Sequence, residues 1–143
     1  MDAFTFLRDY TPLFAGVSES HLETLAGASA LQVWKNGQTV LFQGITVDSL
    51  SVLCTGRLSV MVKLPGKGLT PVAELNPGDV FGETSIFEMG TAGATIKAVE
   101  DDTCVLVIPQ DAFRRLLAED PAFVERVKAL IASRRPPPKA PAS

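Results

Sequence analysis

A chain of 143 residues is long enough for one domain with its own hydrophobic core, without disulfides or metals to hold it. Apolar residues make up 46%, charged residues 20%, and the formal net charge is −3, which argues against the basic footprint of a nucleic-acid-binding surface. No apolar run approaches the roughly 18 residues of a membrane span, and the opening MDAFTFLRDY lacks the basic and apolar regions of a secretory signal. A cytoplasmic protein without membrane contact is expected.

Residues 1–30 read as a helical segment. Ser18 precedes an acidic first turn, and Leu22, Leu25 and Ala26 recur at helical spacing, which marks Ser18 as an N-cap. His21 is the only histidine and lies in this helix with no visible partner ligands, so it reads as a partly exposed helix residue rather than a metal or haem ligand.

From 31 to 109 the texture changes. Runs rich in Val, Leu, Thr and Phe at 31–35, 39–43, 49–55, 58–64, 70–75, 94–100 and 103–108 are separated by Gly, Pro, Asn and Asp. Spacing of roughly 8–12 residues between turn signals is the rhythm of an all-β roll or barrel. Asn36-Gly37 predicts a tight turn because both residues tolerate positive φ. Pro65-Gly66-Lys67-Gly68 reads as a hairpin loop, Asn76-Pro77-Gly78-Asp79 as another turn, and Asp101-Asp102 as the joint between the last two strands. Cys54 and Cys104 both sit in apolar strand-like runs and lack zinc-type spacing, so they read as inert core thiols.

Helical spacing returns over 110–135. A short helix at 111–119 carries Phe113, Leu116 and Leu117 on one side, and Asp120-Pro121 supplies the N-cap and first position of a second. In that helix Phe123, Val127, Leu130 and Ile131 form an apolar stripe, suited either to packing on the roll or to a homodimer seam. Arg134-Arg135 stand at its C-terminal end, where cations favour the helix dipole. Residues 136–143, PPPKAPAS, cannot continue a helix and read as an extended tail.

One segment breaks the strand rhythm: Phe81-Gly82-Glu83-Thr84-Ser85-Ile86-Phe87-Glu88-Met89-Gly90-Thr91-Ala92-Gly93-Ala94-Thr95. Gly82 lets the backbone turn, and the residues after it can wind one helical turn whose free amides attract an anion. Gly93 would allow a second close approach of the backbone before the next strand.

The glycines Gly37, Gly44, Gly56, Gly78 and Gly82, in the contexts KNGQTVLFQG, LCTGRLSV and LNPGDVFGE, resemble the cyclic-nucleotide-binding domain family. The family spans the effector domain of the catabolite activator protein and the regulatory subunit of protein kinase A. The similarity runs from about Pro12 to Pro121. It implies a mainly β fold with flanking helices: a double-stranded β-helix, or jelly-roll-like β-roll, with N-terminal helices and two C-terminal helices.

The family's phosphate-binding cassette resembles F-G-E-(L/I)-A-L-(L/I)-x-x-x-x-R-(A/S)-A-T. Phe81, Gly82 and Glu83 match its opening, and Ala94 and Thr95 its close, with no insertion between. The resemblance implies that Glu83 accepts a ribose hydroxyl and that amides after Gly82 and around Gly93 face the cyclic phosphate. Thr84 and Ser85 replace an apolar residue and an alanine, and each adds a hydroxyl. At the place of the phosphate-pairing arginine stands Ala92, preceded by Thr91 in place of the usual proline.

A charge-assisted hydrogen bond contributes about 1.5–3 kcal/mol, so its loss corresponds to a roughly 10- to 150-fold weaker complex. It also leaves Glu83 with no obvious counter-cation. Lys97, two residues beyond Thr95 and on the same strand face, is the candidate substitute cation.

Catalysis is not expected. One histidine, no P-loop, no HExxH and no paired carboxylates among Glu83, Glu88, Asp101 and Asp102 leave no reaction chemistry to build on. A transcription factor of this family would add a winged helix-turn-helix after the last helix; PPPKAPAS follows instead, so direct DNA binding is not expected either. Two readings remain. The first is a regulatory or interaction module with weak or absent binding of cyclic AMP and cyclic GMP, working on another protein or as a homodimer through its C-terminal helix. The second is a stand-alone sensor for a cyclic nucleotide or another anion, signalling through that helix.

Overall fold

The computed structural model describes residues 2–83, 86 and 91–134. The N-terminal helical segment consists of three short pieces. The Asp2 carboxylate accepts from the Thr5 amide at 2.8 Å and caps α1 (Ala3–Asp9); a 3-10 turn follows at Pro12–Phe14. The Ser18 hydroxyl accepts from the His21 amide at 3.2 Å and starts α2 (Glu19–Ala28). Short polar caps satisfy amides that a helix start leaves without partners.

Eight strands follow among the described residues: β1 (Ala30–Trp34), β2 (Thr39–Leu41), β3 (Ser49–Thr55), β4 (Leu58–Leu64), β5 (Gly68–Leu75), β6 (Val80–Phe81), β7 (Thr95–Ala98) and β8 (Thr103–Pro109). They form two four-stranded sheets, ordered β1-β8-β3-β6 and β2-β7-β4-β5, with every pair antiparallel. Strand alternation then divides the apolar side chains between two cores. Leu53, Leu58, Phe81, Ile96, Ala98 and Val105 point between the sheets. Leu50, Val52, Leu106 and Ile108 point the other way, onto the helices.

The chain closes with α3 (Gln110–Glu119) and α4 (Pro121–Arg134). Asp120 caps α4, its carboxylate accepting from the Phe123 amide at 3.1 Å. Phe123 is fully buried, stacked on Phe14 at 5.4 Å between centroids and edge-on to Phe113 at 5.8 Å. This aromatic cluster fastens α4 to the 3-10 turn and to α3 in front of the first sheet. None of the described helices is long and apolar enough to cross a membrane.

The five framework glycines all take left-handed backbone, with φ from +85° to +97°. At Gly82 the need is double: φ is +93°, and a Cβ would stand 2.7 Å from the Ser49 carbonyl oxygen. In the Asn36-Gly37 turn only Gly37 takes positive φ, at +93°. β6 has no counterpart among the runs read from the sequence. It is two residues long, pairing with Ser51 and Val52, and so short a strand has no periodicity to detect.

Candidate functional site

A cavity of about 270 Å³ opens on the inner face of the first sheet, against the loop between β2 and β3. Its polar wall is built by alternation, since Gln32 on β1 and Ser49 and Ser51 on β3 point inward with the apolar Leu53 and Val105. Trp34, Phe81 and Val107 make the apolar wall, and Gly82 lies at its edge. A larger depression of about 540 Å³ lies on the outer side of the second sheet, around Ser59 and Arg57. It is an open surface, and Arg57 there is already paired with Glu74 at 3.2 Å and Glu100 at 2.9 Å.

Gly82 and Glu83 lead out of β6 into a helical turn, in which the Ile86 amide donates to the Gly82 carbonyl at 3.1 Å. Glu83 is 2% exposed. The expectation that it lacks a counter-cation is corrected. The Arg134 guanidinium donates to Glu83 Oε1 at 2.7 Å and to the Val80 carbonyl. Arg134 therefore does more than favour the α4 dipole: the last turn of α4 is pinned to the cassette. Glu83 Oε2 is buried without a partner among the described residues. A second arginine works alongside, Arg114 of α3 donating to the Ile86 carbonyl at 2.9 Å. Neither arginine could be found by motif, because both come from helices distant in sequence. Thr84 and Ser85 lie outside the described residues, as do Arg135 and the tail at 136–143.

Ala92 is 4% exposed, its methyl in the helix-side core cluster. Its main chain is held on both sides: its amide donates to the Ile45 carbonyl at 2.8 Å, and its carbonyl accepts from the Gly44 amide at 2.8 Å. Gly93, read as a second close approach, is exposed, and a Cβ there would meet nothing within 4 Å. The close approach belongs to Gly82 alone of the two. Ala94 is half-buried beside it, and the Thr95 hydroxyl accepts from the Gln43 amide at 3.0 Å.

Lys97 does share a face with Thr95, but that face is the outer one. Its neighbours in register, Thr39 and Ser59, flank it, while Ile96 and Ala98 take the interior. A cation so placed points away from the cavity, which corrects its reading as a substitute for the missing arginine.

Of the α4 stripe, Phe123, Val127 and Ile131 are buried in the helix-side core, and Leu130 packs half-buried against it. Packing onto the rest of the chain thus accounts for the stripe. His21 joins α2 to α3, its Nε2 lying 3.0 Å from Glu119 Oε1. Burial pushes the Cys54 thiol up to about 11 and raises that of Cys104, so both stay protonated at neutral pH. The Asp101-Asp102 pair is a turn: Asp101 accepts from the Asn36 amide at 3.0 Å and Asp102 has φ +57°. Among the described residues no cluster of His, Cys, Asp and Glu could hold a metal.

Comparison with known proteins agrees with this geometry. Residues 31–120 match the family model described as the cyclic nucleotide-binding domain. The cyclic AMP receptor protein of Thermus thermophilus is 26% identical over 124 residues, which are 87% of this chain and 57% of that protein. The regulatory domain of Toxoplasma gondii protein kinase A, solved with cyclic AMP, shares the fold with a TM-score of 0.77 at 20% identity. The match covers 92% of this chain and 48% of that one. A regulatory subunit of a cyclic-AMP-independent protein kinase A from Trypanosoma brucei also shares the fold, with a TM-score of 0.77 at 19% identity, covering 92% and 46%. The chain thus spans little more than half of the receptor protein it resembles. With 31–120 matched and the β-roll, cassette turn and closing helices in place, this chain belongs to the cyclic-nucleotide-binding domain family.

Proposed function

We propose that this domain is a non-catalytic regulatory module that binds cyclic AMP and cyclic GMP weakly or not at all. Its partner would be another protein or a second copy, engaged through the C-terminal helices. The observation that carries the reading is Ala92: where a phosphate-pairing cation belongs, the side chain is a buried methyl. No other cation takes over among the described residues around the cavity. Arg134 is engaged by Glu83, Arg57 by Glu74 and Glu100, and Lys97 points outward. Among the described residues, an anion in the cavity would meet the Asp48 carboxylate on the wall and no basic side chain.

The fold is compatible with either outcome, since its neighbours include a domain solved with cyclic AMP and one from a cyclic-AMP-independent kinase. The sensor reading is favoured by one observation, the cavity that remains open between the loop and the first sheet. Calorimetric titration with both nucleotides separates the two. Little or no saturable heat is expected, and a dissociation constant in the low micromolar range or tighter would overturn the weak-binding reading.

A further inference from the structure

We infer that the β-roll cavity takes an uncharged, amphipathic small molecule; this rests on the reading of the cassette as lacking its anion-binding cation. The cavity is a little below the roughly 300–1,000 Å³ usual for ligand pockets, at about 270 Å³. It therefore holds a compact ligand rather than a peptide.

The chemistry of the wall gives the class. Among the described residues no Lys, Arg or His lines the cavity, and the one charged residue there, Asp48, is an acid. One cassette amide that could have met an anion, that of Ala92, is bonded to the Ile45 carbonyl. Removing an anion from water into such a site meets no described cation to offset its lost hydration.

Neutral polar groups are present and free to act. Gln32, Ser49 and Ser51 make no side-chain hydrogen bond to other described residues, although Ser51 is only 7% exposed. The indole N–H of Trp34, on the same wall, is buried without a partner among the described residues. Buried polar groups in folded proteins are nearly always paired. The unpaired buried indole N–H, with the Ser49 and Ser51 hydroxyls and the exposed Gln32 amide, beside Leu41, Phe81 and Val107 fits a molecule with an apolar body and a few hydrogen-bonding atoms.

Trp34 is the single tryptophan, so its emission reports on the cavity directly. The probes are cyclic AMP and its neutral phosphate methyl triester, which keeps base, sugar and ring and loses the charge. The triester is expected to shift the emission saturably, with at least tenfold tighter binding than cyclic AMP. Ser51→Val and, at an exposed position where folding is not at risk, Gln32→Leu are each expected to weaken the triester severalfold. Tight binding of cyclic AMP would remove the reading on which the inference rests. Failure of both probes would leave that reading standing and overturn the inference alone. A triester signal unchanged in both variants would place the ligand outside the cavity and overturn it too.

Discussion

At position 92 the methyl belongs to the buried cluster that also holds Val47 and Ile86, while the main chain is bonded on both sides to the Gly44–Ile45 turn. An arginine at this position must keep those two bonds and carry its guanidinium out of an apolar environment. Long cationic side chains manage this by laying the stem along apolar surface and exposing the head. Ala92→Arg is therefore expected to raise affinity for cyclic AMP by roughly 10- to 150-fold, the value of one charge-assisted contact. A lower melting temperature should accompany the gain. Titration calorimetry and a thermal melt of the same variant check both halves. Unchanged affinity would mean that the cavity excludes the phosphate for a reason other than the missing cation. The residue types at Gly82, Glu83 and Ala92 were legible because they stand in one contiguous motif. The cation that meets Glu83 was not, since Arg134 lies 51 residues away and only the fold brings the two together.

Among the elements, the strands with clear apolar runs and turn residues at their ends were readable. β3 and β4 coincide with the runs at 49–55 and 58–64. β7 shrinks to Thr95–Ala98 and β2 to Thr39–Leu41, where the pairing between them shifts register at a bulge; apolar character continues past the last ladder bond. For α4 the stripe was visible but its partner was not, because periodicity reports an apolar face without saying what covers it. The aromatic contacts of Phe123 with Phe14 and Phe113 supply the cover from within the chain. Leu130→Glu puts a carboxylate at a half-buried position against that core. A cost of about 1–2 kcal/mol is expected, lowering the melting temperature by roughly 3–10 °C. The molar mass from light scattering should stay as it is in the parent. A fall from dimer to monomer in this variant would instead make Leu130 part of a seam between copies.

For the molecule as a whole, the cassette turn is joined to the closing helices by two arginines, Arg114 from α3 and Arg134 from α4. The second is the more consequential, because its carboxylate partner is 2% exposed. Removing one member of a buried ion pair leaves the other charge without compensation, which is far worse than replacing both. The Arg134 side chain is 31% exposed, so solvent softens that penalty. Arg134→Gln is expected to destabilise the domain by about 1–3 kcal/mol. The loss should be uneven. Phe123, Val127 and Ile131 still bury the helix from below, so its first turns keep their hold while its last turn loses the Arg134 side-chain anchor to the cassette. Amide hydrogen exchange should therefore accelerate toward Arg134 and in the turn at Gly82–Glu83, with little change near Asp120. Arg134→Lys, which restores the charge without the planar fork, should recover part of the protection. Uniform acceleration along α4 would mean that the ion pair only adds to global stability. Unchanged exchange would mean that apolar packing alone holds the helix to the roll.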